Sequence, residues 1–322
     1  MKTEFYAALF SFLIVVFAGI YTVPMLARLK FGQTVRADGP KRHFKKMGTP
    51  TMGGIMFIPA IAISALVFSH RSTNVLMAIF SMVAFALIGF VDDFIKIAKK
   101  RSLGLRANHK LFFQLIVSFI LAFYAYSFYP GTTVLLAPGF SKGLDLGMMF
   151  IPFTIFVILG TVNSVNLTDG LDGLVSGIVF VISFFYTLIS LFLGNYSLAV
   201  FGAAISGGCL GFLIYNHHPA RVFMGDTGSL GLGGALAALA VLTGTQLYLI
   251  LFGMIFIIET LSVILQVIFF RMTGKRIFKM SPIHHHFELV GWSEDKVVLV
   301  FWAFTLVTGI LGIALFNATG LR

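Results

Sequence analysis

Two long apolar segments, residues 197–215 and 229–245, are joined by the stretch NHHPARVFMGDTGS, residues 216–229. Each segment is long enough to cross a bilayer core of roughly 30 Å, so the stretch between them predicts a loop at a membrane surface. The whole chain agrees, because its mean hydropathy is +0.97 and only 11% of its 322 residues are charged. Soluble domains carry about a quarter charged residues, so the composition excludes that class.

Ten apolar segments are expected to cross the membrane as helices, which predicts an all-α integral membrane protein with a single polytopic domain, residues 1–322. They cover residues 5–27, 52–69, 74–91, 111–129, 149–166, 174–193, 197–215, 229–245, 247–270 and 297–317. We interpret the first segment as a membrane span and not as a cleaved signal peptide, because its apolar core is long and Arg28 and Lys30 follow it.

Lysine and arginine are distributed unequally between the loops, with 19 of the 23 in one alternating set. The positive-inside rule assigns that set to the cytoplasm, so both termini are expected to be extracytoplasmic. The net charge of +11 then reports topology and contact with the anionic lipid bilayer, and no nucleic-acid partner is expected. The outer loop 130–148 is interpreted as structural, and the single cysteine, Cys209, excludes an internal disulfide.

Acidic and histidine-rich clusters all fall in the loops assigned to the cytoplasm. Because that assignment used only lysine and arginine, the clustering is independent support for one shared site. We therefore expect an active-site cleft on the cytoplasmic side.

Asp226 lies between two glycines of the loop 216–229, the first of them Gly225. Thr227 and Ser229 are typical helix N-caps, so the next helix is expected from Leu230. A lone carboxylate beside a helix N-terminus suits Mg²⁺, which takes one or two protein carboxylates and completes its shell with phosphate oxygens and water. The alternative is a capped helix with a tight turn.

Two adjacent acids, Asp92 and Asp93, end the third apolar segment. Acids at membrane depth are costly, and two neighbouring carboxylates need a cation or a shared proton. The alternative is a solvated helix end balanced by Lys96 and Lys99. We favour a functional pair.

Residues 163–173 contain Asn166, Asp169 and Asp172 at intervals of three, which would share one face if the segment were helical. The two Asp-Gly steps predict that the helix breaks here. A pair of turns between spans is the alternative, but it does not explain acids without a basic neighbour.

Three consecutive histidines, His284 to His286, lie in the last basic loop. Zinc is disfavoured, because adjacent histidines cannot easily converge on one ion. They are interpreted as hydrogen-bond donors to phosphates or a sugar, with one or two directed inward; a polar interfacial loop is the alternative. Glu259 and Gln266, seven residues apart in the ninth segment, are expected to face protein or a cleft.

Two glycine-rich stretches have different interpretations. The basic first loop, whose charge serves topology and attraction to lipid headgroups, ends in residues 48–54, GTPTMGG, which could also present hydroxyls to a polyanion. Residues 231–234, GLGG, predict close helix packing, since no strand precedes them as a nucleotide motif requires.

Together these clusters favour phosphoryl transfer between a soluble polyanion and a lipid-borne acceptor, a chemistry of positioning and charge neutralisation. A transporter would place its acids nearer the membrane midplane, and a zinc hydrolase would show histidine pairs at helical spacing.

The same segments resemble those of the polyprenyl-phosphate N-acetylhexosamine 1-phosphate transferases, and within them the phospho-N-acetylmuramoyl-pentapeptide transferase (translocase I) family. They run in family order across most of the chain: residues 48–54, Asp92-Asp93, residues 166–173 (NLTDGLDG), residues 216–226 and residues 282–288 (PIHHHFE). Within this superfamily, the three-histidine segment is typical of the muramoyl enzymes.

The resemblance implies that undecaprenyl phosphate attacks the β-phosphate of UDP-MurNAc-pentapeptide, giving lipid I and UMP in the first membrane step of peptidoglycan synthesis. It implies Mg²⁺ as cofactor, a multi-pass location in the bacterial cytoplasmic membrane, and a homodimer. The alternative function is transfer of N-acetylglucosamine 1-phosphate to the same type of carrier.

The resemblance also implies roles for residues. Asp226 is expected as the Mg²⁺ ligand and Asp92 as the base toward the lipid phosphate in a one-step displacement, with Asp93 beside it and His284 as a fourth catalytic residue. The rival is a two-step reaction with an aspartate nucleophile. The expected nucleoside end is formed by Asn166, Asp169, Asp172 and Phe223. The other expected substrate contacts are Lys46, Thr51, Lys96, Lys110, Asn216, Gly225, Gln266, His285 and His286.

Overall fold

The computed structural model describes residues 2–29, 46, 48–69, 72–99, 101, 103–128 and 133–320. These residues form a helical bundle, which confirms the predicted all-α class. In chain order the helices are α1 (Lys2–Arg28), α2 (Gly54–Phe68), α3 (Thr73–Ala98), α4 (Ala107–Phe128), α5 (Phe150–Thr168), α6 (Leu174–Phe192), α7 (Tyr196–Asn216), α8 (Gly225–Leu242), α9 (Leu249–Phe252), α10 (Met254–Thr273), α11 (Ile283–Val290) and α12 (Glu294–Ala318). A short antiparallel hairpin, β1 (Val134–Leu135) and β2 (Leu144–Asp145), lies in the predicted structural loop.

Among the described residues, nine helices are long and apolar enough to cross a membrane. They correspond to nine of the ten predicted segments. Most of the predicted basic first loop, residues 30–45, lies outside the described residues, as do residues 129–132 of the outer loop.

The other predicted segment, residues 52–69, forms only the 15-residue helix α2. At 1.5 Å per residue it is about 22 Å long, which is short for a full crossing. Its helix begins late because the N–H groups of Gly53 and Gly54 donate to the carbonyls of Phe223 and Met224 at 2.8 and 3.0 Å. Tertiary pairing thus replaces the first turn that hydropathy predicted.

The segment 247–270 is also not the single helix that was predicted. It breaks at Gly253 into α9 and α10, and α10 continues to Thr273. The break is a backbone feature, since Gly253 has φ −100° and ψ 20°, outside the helical region.

Helix α8 is the buried centre of the bundle, packed against α2, α3, α5 and α6. Its glycines permit this, because Gly231 lies against Ile58 and Ala86, and Gly234 lies against Phe85. In a bilayer, small residues allow such close packing where apolar surface alone does not drive association. The packing interpretation of GLGG is therefore confirmed.

Polar ends of the helices meet at one end of the bundle. Side-chain and backbone contacts show that helices α3, α5 and α7 end there and that α2, α4, α6, α8 and α12 begin there. Helix α10 runs past this end, where Thr260 donates to Ser164 Oγ at 2.7 Å. The loops that carry the predicted clusters are thereby brought together.

Gly89 sets the approach of α3 to the first turn of α8. A methyl group at this position would collide with the backbone carbonyl of Asp226. We expect Gly89→Ala to lower stability by about 1–3 kcal/mol through overpacking. Gly160→Ala, in α5, is the control, because no atom of the described residues outside the helix backbone lies within 4 Å of a Cβ at Gly160. Thermal unfolding in detergent measures the stability of both variants. Equal melting temperatures would contradict the close approach of α3 to α8 at Gly89.

Candidate active site

The first turn of α8 carries Asp226, and the helix begins earlier than predicted. It starts at Gly225, so the expected start at Leu230 and the expected N-caps Thr227 and Ser229 are wrong. The two hydroxyls have other partners: Thr227 donates to Asp93, and Ser229 donates to the carbonyl of Gly225. The extra turn lifts Asp226 onto the N-terminal end of the helix, where the dipole favours a negative charge.

Three carboxylates, those of Asp92, Asp93 and Asp226, bring oxygen atoms within 4.8 Å of one another. We call them the aspartate triad. Asp93 is fixed by two bonds from Thr227, 2.9 Å from its N–H and 2.8 Å from its hydroxyl. Asp92 accepts the N–H of Leu105 at 2.8 Å. The sequence predicted these acids as functional, and the structure brings all three together.

Two lysines balance part of the triad's charge. Lys96 Nζ lies 2.6 Å from Asp92 Oδ2, 3.2 Å from Asp226 Oδ2 and 3.6 Å from Asp93 Oδ1. Lys110 Nζ lies 2.6 Å from Asp226 Oδ2. With three carboxylates ionised against two ammonium groups, the cluster retains a net negative charge. All-oxygen carboxylate ligands suit a hard divalent cation, so the triad could hold one.

Asn166 was expected at the nucleoside end with Asp172, but its side chain contacts the aspartate triad. Its amide nitrogen donates to Asp226 Oδ1 at 3.1 Å and to Ser229 Oγ at 2.8 Å. The shared helical face predicted for Asn166, Asp169 and Asp172 does not form, because α5 ends at Thr168. The predicted break at the Asp-Gly steps is confirmed.

A second charged cluster surrounds Asp172, which is buried. Lys46 Nζ lies 2.7 Å from Asp172 Oδ1 and 2.6 Å from Glu294 Oε1, and His218 Nδ1 lies 3.1 Å from Asp172 Oδ2. Burial opposes the charge of Lys46, but the carboxylates of Glu294 and Asp172 outweigh it and raise the pKa of Lys46. We call these four residues the Asp172 cluster.

Glu294 and His218 were missed in the sequence. One usable signal was present, because Glu294 lies in the first turn of an apolar helix, as Asp226 does. The three carboxylate or imidazole groups of the cluster are close enough to hold a metal ion, but Lys46 already bridges its two acids. The arrangement suits recognition of polar groups better than capture of a cation.

Asp169 lies in the turn between the two clusters and is half-buried. Removal from water, and then repulsion from Asp226, Asp93 and Asp172, raises its pKa well above the ordinary value. In the described part of the chain its carboxyl has no hydrogen-bond or ion-pair partner. Such a group is available to a ligand.

Asn216 and Gln266, both expected to contact substrate, use their amides to hold loops. Asn216 Oδ1 accepts from Gly173 N–H and Ser176 Oγ, and its nitrogen donates to the carbonyl of Val222. These bonds tie the turn 169–173 to the loop before α8.

Gln266 Oε1 accepts the N–H groups of Ile277 and Phe278, each at 3.0 Å, and its nitrogen donates to the carbonyl of Phe278. The side chain thus fixes the loop that leads to the histidines. Its place in the structure favours a positioning role over direct contact.

The three histidines point to three different partners, in accord with the argument against zinc. His284 is fully buried with Nδ1 3.0 Å from Glu259 Oε1, and His285 Nδ1 lies 2.9 Å from Glu288 Oε2. His286 Nδ1 accepts the N–H of Lys279 at 3.1 Å. The segment forms helix α11, whereas the alternative interpretation was a polar interfacial loop.

Thr51 and Gly225 lie next to the triad, and Phe223 belongs to the segment whose backbone pairs with residues 50–54. Phe223 N–H donates to the carbonyl of Pro50 at 2.8 Å, and its ring is half-buried. Gly225 has φ +69°, and a Cβ there would lie 2.6 Å from Asp93 Oδ2 and 2.9 Å from Thr51 Oγ1. Only glycine fits both the backbone angle and this space.

Comparison with known proteins gives consistent matches. The sequence model of glycosyl transferase family 4 matches residues 75–244. The phospho-N-acetylmuramoyl-pentapeptide-transferase of Thermoanaerobacter pseudethanolicus is 52% identical over 301 residues, covering 94% of this chain and 95% of that protein. Proteins with the same description from Desulfitobacterium hafniense and Bacillus velezensis are each 48% identical, covering 98% and 96% of both chains respectively.

Proposed function

This chain belongs to glycosyl transferase family 4 and, within it, to the phospho-N-acetylmuramoyl-pentapeptide transferases, and we propose that it makes lipid I. In this reaction an oxygen of undecaprenyl phosphate attacks the β-phosphorus of UDP-MurNAc-pentapeptide. The bond from that phosphorus to the bridging oxygen breaks, and UMP leaves. The single observation that carries the proposal is the aspartate triad with its two lysines, placed at the polar end of a bundle of membrane-type helices.

The donor set of the triad fits Mg²⁺, because every available ligand is a carboxylate oxygen and the cluster has excess negative charge. We assign Asp226 as the principal ligand, with Asp92 and Asp93 near enough to share the ion. The bound cation would neutralise charge on the donor diphosphate. Asp93 is held by Thr227 in a geometry that keeps α3 and α8 in register.

Asp92 is assigned as the base in a one-step displacement. Its carboxylate lies within 4.8 Å of that of Asp226, which places it to accept a proton from a lipid phosphate aligned with the donor. Lys96 and Lys110 neutralise phosphate charge as the new bond forms. No covalent intermediate is needed when acceptor and donor are aligned.

The Asp172 cluster is assigned to the nucleoside end of the donor. Lys46, Asp172 and Glu294 offer paired donors and acceptors for a ribose or uracil, and Phe223 offers a ring face for stacking. Asp169, in the turn between this cluster and the triad, faces the route of the diphosphate. We assign His285 and His286 to contacts with the sugar and peptide of the donor.

The proposed orientation places the polar end of the bundle in the cytoplasm and both termini outside. The excess of basic residues in the loops at this end supports that assignment. The chain would then act in the bacterial cytoplasmic membrane, where a soluble nucleotide donor and a lipid acceptor can meet. We also propose a homodimer, as the resemblance implies.

Glu294→Gln is expected to raise the KM for UDP-MurNAc-pentapeptide about 10-fold with a smaller change in kcat. The reason is that it removes one of two charged partners of Lys46 in the nucleoside end, and a charge-assisted hydrogen bond is worth about 1.5–3 kcal/mol. The control is Asp295→Asn, an exposed acid in the same helical turn. Steady-state kinetics measure kcat and KM separately. A lower kcat with unchanged KM would contradict the prediction and assign Glu294 to the transfer step instead of donor binding.

The proposed function is tested by UMP release from purified protein in detergent with Mg²⁺ and undecaprenyl phosphate. UDP-MurNAc-pentapeptide is compared with UDP-N-acetylglucosamine. Release with the first donor alone, matched by lipid-linked product, is the expected result. Release with the second alone would assign the chain to transfer of N-acetylglucosamine 1-phosphate, and release with neither would contradict transferase function.

A further inference from the structure

Glu259 and His284 form a completely buried pair, Glu259 on α10 and His284 at the start of α11. Oε1 of Glu259 lies 3.0 Å from His284 Nδ1, and Oε2 accepts the N–H of Ile283 at 3.0 Å. An ionised carboxylate only accepts hydrogen bonds, so Nδ1 of His284 carries a proton. Both oxygens of Glu259 are thus used to orient the first turn of α11.

The Glu259–His284 pair is separate from the lysine and arginine side chains that the structure describes. In the part of the chain that the structure describes, Glu259 forms its only ion pair with His284, and no lysine or arginine contacts it. The ring of His285 lies next to that of His284, with centroids 4.1 Å apart, and is itself held by Glu288. In the imidazolium form of His284 both ring nitrogens carry protons, so Nδ1 donates to Glu259 and Nε2 is a second donor.

The other ring nitrogen, Nε2 of His284, is buried and has no hydrogen-bond partner among the residues that the structure describes. It faces Gly170, where a Cβ would collide with it. An unpaired buried donor costs free energy, and native structures rarely leave one without a reason. The absence of a side chain at Gly170 leaves this nitrogen facing the turn that follows Asp169.

The position of that turn indicates what Nε2 meets. On one side Asn166 contacts the aspartate triad, and on the other Asp172 contacts Lys46 and Glu294. A nucleotide donor that reaches from the nucleoside end to the triad must carry its diphosphate past residues 169 and 170. An N–H directed at this turn is therefore placed for an anionic oxygen.

We propose that Glu259 is a positioning residue for the transfer reaction: it holds the imidazole of His284 so that Nε2 donates to an anionic oxygen of the donor diphosphate beside Gly170. This inference rests on the proposed function. It gives His284 a defined atom and partner, and it separates His284 from His285 and His286.

Glu259→Gln provides the test. In the amide an NH₂ group replaces one of the two accepting oxygens, so either Ile283 N–H or His284 Nδ1–H loses its acceptor, and the imidazole loses its fixed orientation and its countercharge. We expect kcat for UMP release to fall about 10- to 100-fold, with the KM for undecaprenyl phosphate unchanged. Glu4→Gln, which removes a buried carboxylate from α1, is the control and should retain the wild-type kcat.

A double-mutant cycle separates positioning from a structural role. If Glu259 acts through His284, adding Glu259→Gln to His284→Gln causes no further loss of kcat. Multiplied losses in the double variant would overturn the proposal, as would a wild-type kcat in His284→Gln alone.

Gly170→Ala keeps the proposal testable if Glu259→Gln does not fold, because its methyl group displaces Nε2 without touching the carboxylate. It should lower kcat, and its loss should not add to that of His284→Gln; an additive loss would count against the proposal. All variants are compared with wild-type protein that releases UMP. Failure of the wild type would contradict the proposed function, whereas a normal wild type with additive variants contradicts only this inference.

Discussion

Asp226→Asn is expected to reduce turnover about a thousandfold or more, at any Mg²⁺ concentration, while the protein stays folded. Asp226 accepts from Lys96, Lys110 and Asn166, so it connects α3, α4 and α5 to the first turn of α8. The amide keeps the shape of the side chain but removes the charge that attracts a divalent cation. Excess Mg²⁺ cannot restore a ligand that no longer carries charge.

The measurement is UMP release across a Mg²⁺ titration, with thermal unfolding as the check on folding. Asp145→Asn is the matched control, because Asp145 is an exposed acid in the hairpin at the other end of the bundle. Near-normal activity in Asp226→Asn, or full recovery at high Mg²⁺, would remove Asp226 from the metal site.

Asp92→Asn is expected to lower kcat about 10²- to 10⁴-fold while binding of UDP-MurNAc-pentapeptide stays close to the wild-type value. The amide can still accept the N–H of Leu105, so local folding is preserved, but it cannot accept a proton from the lipid phosphate. Equilibrium binding of the donor and single-turnover kinetics separate the two effects. Lost donor binding with unchanged single-turnover rate would contradict a role as base.

The one-step mechanism also predicts the result of the UMP-release assay in the absence of the lipid acceptor. Without undecaprenyl phosphate, wild-type protein should release only trace UMP from the donor. A stoichiometric burst of UMP together with a trapped phospho-MurNAc adduct would establish the two-step rival.

Hydropathy and charge predicted the helical class and most of the spans, because membrane insertion depends on local composition. The ends of helices were predicted less well. Helix α8 starts at Gly225 instead of Leu230 because the hydroxyl of Thr227 bonds Asp93, a residue distant in sequence. Helix α2 starts late for the same type of reason, a backbone pairing with residues 223 and 224.

The aspartate triad and its lysines could be predicted because acids are rare and costly in apolar segments. Partners of a charge across the bundle leave no such local pattern, so Glu294 and His218 were missed beside Asp172. The amides of Asn216 and Gln266 were predicted as substrate contacts, and only the folded chain shows that they hold loops.

The most direct test of the central claim is Mn²⁺ binding measured by electron paramagnetic resonance, because Mn²⁺ takes the same oxygen ligands as Mg²⁺. Two acidic clusters are candidates for the cation site, the aspartate triad and the Asp172 cluster. Asp226→Asn removes a carboxylate from the first, and Asp172→Asn removes one from the second. The account predicts one Mn²⁺ site per chain that Mg²⁺ displaces, lost in Asp226→Asn and retained in Asp172→Asn. Binding retained in Asp226→Asn and lost in Asp172→Asn would place the cation in the Asp172 cluster and contradict the account.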